Sequence, residues 1–121
     1  MSQLRAYLYS NFSTCRKAKK YLTDQQIAFE EMPIREQPPS LAELEQMLAA
    51  YDGDIRKLFN TSGQDYRKGD YKEKLKSMSV KQALSALAAN GNLIKRPFLI
   101  SDNTALVGFK PDQWDSHFNN G

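Results

Sequence analysis

The sequence predicts an α/β domain with the order β-α-β, a run of helices, then β-β-α. Three observations carry this expectation. Near the N-terminus two apolar stretches, Leu4–Tyr9 and Ile27–Ile34, flank a segment whose apolar residues have helical spacing. In the middle, Ser40-Leu41-Ala42-Glu43 and Ser79-Val80-Lys81-Gln82 have the form of capping boxes, which open helices. Near the C-terminus two apolar runs meet at Ser101-Asp102-Asn103-Thr104 and precede a segment opened by Lys110-Pro111-Asp112.

Taken in order, Leu4–Tyr9 alternates and is rich in aliphatic and aromatic side chains, hence a strand. Ser10-Asn11-Phe12-Ser13 breaks the pattern, and Ser13 is a good N-cap for a helix from about Thr14 to Gln26. Cys15, Ala18, Tyr21 and Leu22 form its apolar stripe. Ile27–Ile34 reads as a second strand, parallel to the first across the crossover helix. Pro33, Pro38 and Pro39 mark a loop. The Ser40 helix carries Leu44, Met47 and Leu48 and stops near Asp52-Gly53. A short helix over Asp54–Phe59, a loop over Asn60–Asp70 and a helical stretch over Tyr71–Met78 follow. The Ser79 helix carries Val80, Ala83, Leu84 and Leu87 and closes at Asn90-Gly91, with Gly91 as a left-handed C-cap. Leu93-Ile94 and Phe98-Leu99-Ile100 read as one strand interrupted by Arg96-Pro97, paired through a hairpin with Ala105–Phe109. Trp114 and Phe118 would pack the last helix onto the sheet. Without the central helices this is the element order of a thioredoxin-type half-domain.

Composition narrows the classes. A chain of 121 residues holds one domain and is short for two. Leu, Ile, Val and Phe make up 26 of the 121 residues, close to the roughly 20% below which disorder sets in. Six Tyr and a net charge of only +3 favour a folded, rather polar domain. No apolar run approaches the ~18 residues of a membrane span. The opening MSQLRAYLYSNF lacks the apolar core of a secretory signal. A single Cys excludes an internal disulfide, and one Cys with one His does not make a four-ligand zinc site. A cytoplasmic protein is the expectation. Charge alternates along the chain: net +4 over residues 1–26, −6 over 27–55 and +4 over 56–76. Two basic segments are able to frame an anion or an acidic partner, or to serve as ordinary solvated surface. There is no basic motif interleaved with aromatics, so no direct nucleic-acid reader is expected.

Cys15 is the first residue able to carry chemistry. It falls in the first turn of a helix that follows a strand, where free N–H groups and the dipole favour thiolate. Arg16, Lys17, Lys19 and Lys20 add positive charge nearby. The alternative at this position is a small buried hydrophobe. Arg96-Pro97 is the second, because Pro inside a strand is unusual away from an edge. A cis bond there would bring Arg96 beside the start of the Cys15 helix. The loop Leu58–Gly63 with Tyr66-Arg67 is the third, dense in hydroxyl and amide groups suited to an anion, or equally to an interhelical turn. Lys110 would face an anion or, more simply, solvent, and His117 reads as a surface residue.

These segments together resemble one family. Asn11–Lys20 is similar to the active-site turn of the arsenate reductase (ArsC)/Spx/MgsR family. Leu58–Gly63 with Tyr66-Arg67 resembles its central loop, and Ile94–Pro97 with Gly108-Phe109 its C-terminal part. The likeness runs from about Leu4 to Phe118. It implies one domain over residues 1–121 with a thioredoxin-like, glutaredoxin-type fold. The core would span about residues 3–36 and 92–118, with a helical insertion over about 40–91 between the second and third strands. The family turn reads C-x-x-C or C-x-x-S, its first Cys being the reactive thiol. Here Phe12 stands at that position, and Cys15 matches the second.

The reductases hold their oxyanion with three arginines. Arg96 matches one, while Asn60 and Lys110 stand at the other two. The implied catalytic residues are therefore Cys15 and Arg96. The implied binding residues are Phe12, Ser13, Thr14, Arg16, Asn60, Pro97 and Lys110, with no metal. The resemblance implies a thiol-dependent oxidoreductase or arsenate reductase-like protein working through Cys15 alone. No bound cofactor is expected, and glutathione or another low-molecular-weight thiol would be the reductant. The partner would be a small thiol or an oxyanion. The alternative is a non-catalytic, Spx-like regulator that binds RNA polymerase.

Overall fold

The computed structural model describes residues 3–119. Its centre is a four-stranded sheet made of β1 (Arg5–Leu8), β2 (Glu30–Pro33), β3 (Phe98–Ser101) and β4 (Thr104–Val107). The strand order is β2-β1-β3-β4. β1 pairs parallel with β2 and antiparallel with β3, and β3 pairs antiparallel with β4. The parallel pair is joined through helix α1 (Ser13–Asp24), as a parallel pair requires.

Alternation along the strands supplies two separate apolar faces. Ala6 and Leu8, Leu99 and Leu106 turn to α1 and to the last helix, α6 (Pro111–Asn119), where Cys15, Ala18, Leu22 and Trp114 complete one cluster. Tyr7, Phe98, Ile100 and Val107 turn to the other face. There α2 (Leu41–Ala50), α3 (Gln64–Lys68), α4 (Tyr71–Lys74) and α5 (Val80–Ala89), which lie between β2 and β3 in sequence, bury Leu44, Met47, Tyr66 and Leu87 or pack Tyr71 against them. Both predicted capping boxes form. Ser40 and Ser79 accept from the Glu43 and Gln82 backbone N–H groups, and the Glu43 and Gln82 side chains accept in return.

The structure corrects several boundaries. Ser13 is the first helical residue rather than the cap. Phe12 occupies the cap position and makes no side-chain cap bond. The second strand starts only at Glu30, because Gln26 has φ +58° and the Ile27 N–H closes onto Leu22 O, so the chain is still reversing out of α1. Asn60–Asp70 is not a plain loop: α3 forms within it around the buried Tyr66. Gly91 is not a left-handed cap. It opens a 3-10 turn, and a Cβ there would collide with the carbonyl of Ile34, so close backbone approach is what requires glycine. Leu93 and Ile94 do not extend β3. They belong to the 3-10 turn and to a single bridge with Phe59, and the cis Arg96–Pro97 peptide separates them from the strand. His117 is half-buried rather than on the surface, its Nε2 lying 2.9 Å from Thr104 Oγ1.

Candidate functional site around Arg96

One edge of the sheet collects the residues singled out above. β1 ends at Leu8 and hands the chain to Tyr9 and the turn that opens α1. β2 ends at Pro33 and is followed by Ile34 and Arg35. β3 is antiparallel to β1, so the residues before it, Arg96 and Pro97, come to the same edge. The carboxyl ends of parallel strands are the usual place for a ligand in α/β sheets.

Aromatic rings hold the guanidinium of Arg96. Its Cζ lies 5.4 Å from the ring centre of Tyr9 and 5.4 Å from that of Phe12. Arg35 lies over the same Tyr9 ring at 4.8 Å. The Tyr9 hydroxyl accepts from Asn11 Nδ2 at 3.3 Å, and this bond, with the charges of Arg35 and Arg96, lowers its pKa. Burial, then the like charge of Arg35, pull the Arg96 guanidinium below its ordinary value. An arginine does not shed its proton in a protein. Nε and Nη1 of Arg96 are nevertheless buried without a hydrogen-bond acceptor among the described residues. No ion pair reaches Arg96 there either. A buried unsatisfied donor costs about 1–3 kcal/mol, and more when charged. Such a group in a folded protein calls for an explanation.

The exposed part of Arg96 forms walls of two neighbouring cavities. The larger, of about 560 Å³, is also lined by Tyr9, Phe12, Arg35, Asn60, Asp65 and Arg67 among others. The smaller, of about 230 Å³, shares Phe12, Asn60 and Arg96 and adds Thr14, Lys95 and Lys110. Asp65 is the acid in this surround, and it is already engaged: it accepts from Asn90 Nδ2 at 3.0 Å.

Cys15 lies behind this edge. It is 1% exposed, within the α1–α6 cluster. Its Sγ accepts the Tyr9 N–H at 3.4 Å. Burial raises the thiol pKa above its usual value, and the opposing effects of the Tyr9 N–H and the Arg96 charge do not compensate. The thiolate expected from the helix position is therefore not favoured. The buried thiol borders a separate groove lined by Leu8, Ser10, Arg16, Lys19 and Glu31.

The residues suggested by the sequence thus divide. Phe12, Thr14, Asn60, Arg96 and Lys110 come together around the two cavities. Pro97 is buried beneath them. Ser13 is exposed and borders neither cavity. Arg16 turns away and donates from Nη1 to the Ser10 carbonyl at 3.2 Å. Among the described residues no three His, Cys, Asp or Glu gather in a form suited to a metal. No described helix is long and apolar enough to cross a membrane. Sequence reasoning missed Tyr9 and Arg35. Their signal was positional: each stands just beyond a strand end on the ligand edge.

Comparison with known proteins agrees with this fold. Residues 7–117 match the model of the ArsC family. YusI of Bacillus subtilis, an uncharacterized protein, is 44% identical over 95% of this chain and 98% of its own. The regulatory protein MgsR of the same organism is 27% identical over 92% of this chain and 86% of its own. The global transcriptional regulator Spx of Listeria innocua is 25% identical over 88% and 80%. A solved structure of an ArsC-family-related protein from Bacteroides fragilis superposes with a TM-score of 0.87 at 34% identity, covering 94% of this chain and 97% of that one. That of a possible arsenate reductase from Streptococcus mutans gives 0.85 at 34%, covering 95% and 99%. The fold is thioredoxin-like, and the chain belongs to the ArsC family.

Proposed function

We propose that this chain binds a small anion at Arg96 and holds Cys15 as a protected thiol. One observation carries the reading. Arg96 keeps a charge that burial disfavours, with two covered donors lacking an acceptor and no carboxylate partner among the described residues. An oxyanion or carboxylate supplies what those donors lack, and guanidinium is shaped to take it in bidentate fashion. Lys110 and Lys95 add charge on one side and Asn60 adds amide contacts. Titration of the protein with arsenate and with phosphate tests this. Both should bind, and Arg96→Gln should weaken them by roughly 10- to 100-fold. Binding that ignores Arg96→Gln would sink the reading.

An oxidoreductase or arsenate reductase-like step belongs to the same site only with a reactive Cys15. Glutathione or another small thiol would then be its reductant. Burial of Cys15 speaks against an attacking thiolate in this conformation, and Phe12 stands where the family's first Cys is expected. The anion-binding reading therefore does not need the thiol, and Cys15→Ala should leave arsenate affinity intact. The second reading, a regulator acting on RNA polymerase in the cytoplasm, is favoured by the likeness to MgsR and Spx. Its test is co-purification with RNA polymerase, and failure to associate at micromolar concentrations would remove it.

A further inference from the structure

Between β4 and α6 the chain turns at Gly108, whose φ of +75° lies in the left-handed region that glycine adopts freely. On its N-terminal side the turn is tied to the Arg96 segment. The Gly108 N–H donates to the Pro97 carbonyl at 2.8 Å, one step past the last strand pair, Phe98 with Val107. On its C-terminal side the turn is tied to the fully buried Trp114. The Gly108 carbonyl accepts the indole N–H at 3.2 Å, and the Lys110 carbonyl accepts the Trp114 backbone N–H at 3.0 Å. Trp114 thus grips the chain on both sides of Phe109, whose ring it also meets edge-on at 4.7 Å. Lys95 closes the arrangement: a Cβ on Gly108 would stand 2.9 Å from Lys95 Cε, so the bare residue is what lets that stem pass. Lys95, Arg96, Gly108 and Lys110 all line the smaller cavity.

A buried indole N–H needs an acceptor. The one it takes here belongs to the residue with the widest conformational freedom in the segment, so the bond does more than satisfy the indole. The first helical bond of α6 holds Lys110 to Trp114 but leaves the peptide between Gly108 and Phe109 free to swing. We propose that Trp114 is a positioning residue for the anion site: its indole N–H fixes the Gly108 joint and so delivers Lys110 to the cavity beside Arg96. This rests on the anion-binding reading of Arg96 and adds the group that assembles its cations.

The test is calorimetric titration of arsenate into Trp114→Phe, which keeps an aromatic ring and removes the N–H, into Lys110→Gln and into the double variant. Each single substitution should weaken arsenate roughly 2- to 10-fold, the scale of one lost polar contact. The double variant should lose no more than either alone, because both remove the same contribution. Phe118→Leu disturbs the same aromatic cluster without touching the Gly108 bond, and its affinity should stay at the wild-type value. Should Trp114→Phe lose its fold by circular dichroism, benzothienylalanine at position 114, which keeps the bicyclic ring without the N–H, takes its place in every titration. Wild-type affinity without the indole N–H, losses that multiply in the double variant, or an equal loss in Phe118→Leu would overturn the positioning role and leave the Arg96 reading standing. Failure of arsenate to bind the wild-type protein overturns both.

Discussion

Arg96 at the sheet edge and Cys15 behind it experience the same force in opposite ways. Each is desolvated, and desolvation disfavours the charged form of either. The thiol answers by keeping its proton, and then it is a small apolar group at home beside Ala18, Leu22 and Trp114. The guanidinium has no such exit, so its burial leaves donors waiting for an acceptor. The difference lies in what burial leaves behind: a group that neutralises itself needs no partner, and one unable to do so leaves donors unpaired.

The comparison breaks first on its sealed side. Trp114 is fully buried, touches Phe109 and Tyr21 edge-on at 4.7 and 5.5 Å, and donates from Nε1 to Gly108 O at 3.2 Å. Trp114→Ala should cost about 3–5 kcal/mol in chemical denaturation. A loss below about 1 kcal/mol would mean that this cluster does not seal Cys15.

A charge with all its partners sharpens the contrast with Arg96. Burial pushes the Glu43 carboxyl up, but the Ser40 N–H, the Tyr7 hydroxyl, the Ser40 hydroxyl and Arg5 together bring it below the usual value. Tyr7 donates to Oε1 at 2.8 Å and the Ser40 N–H to the same oxygen at 3.0 Å. A depressed carboxyl contributes stability that is present above its unfolded pKa and is lost as pH falls through the folded one. Stability should therefore decline below the ordinary carboxylate range. Glu43→Gln should cost roughly 1–2 kcal/mol at neutral pH and flatten that decline. An unchanged acid limb in denaturation curves would assign it to other carboxylates.

The smallest effect concerns the ring over Arg96. Phe12→Ala removes one cation–π contact, of about 0.5–1 kcal/mol, and uncovers the guanidinium. Arsenate affinity should rise roughly two- to fivefold in calorimetry. A fall would make Phe12 part of the binding surface rather than its cover.

Much of this was legible in the sequence where the cause is local. The capping boxes at Ser40 and Ser79 need only residues three apart, and both formed. Arg96-Pro97 announced itself because proline inside a strand pattern demands another geometry. What depends on distant partners was not legible. α3 has five residues, too few to show a period, and forms because Tyr66 meets Phe59 and Tyr71. Gly91 looked like a helix cap because its true constraint, the Ile34 carbonyl, lies far away in sequence. Arg35 looked like any charged residue after a strand, and only Tyr9 and Arg96 give it a site. Cys15 carried signals for both outcomes, and the cluster that buries it is drawn from three strands and two helices, which no local pattern reveals.

The most direct test of the sealed thiol is the alkylation rate of Cys15 against pH, read by intact mass on the folded protein with a denatured control. The folded protein should react far more slowly at neutral pH than the denatured one. Its midpoint should lie above the ~8.5 of a free thiol, because burial raises the folded pKa. Fast reaction with a midpoint below that value would show a poised thiolate. It would contradict the account and return Cys15 to the centre of the chemistry.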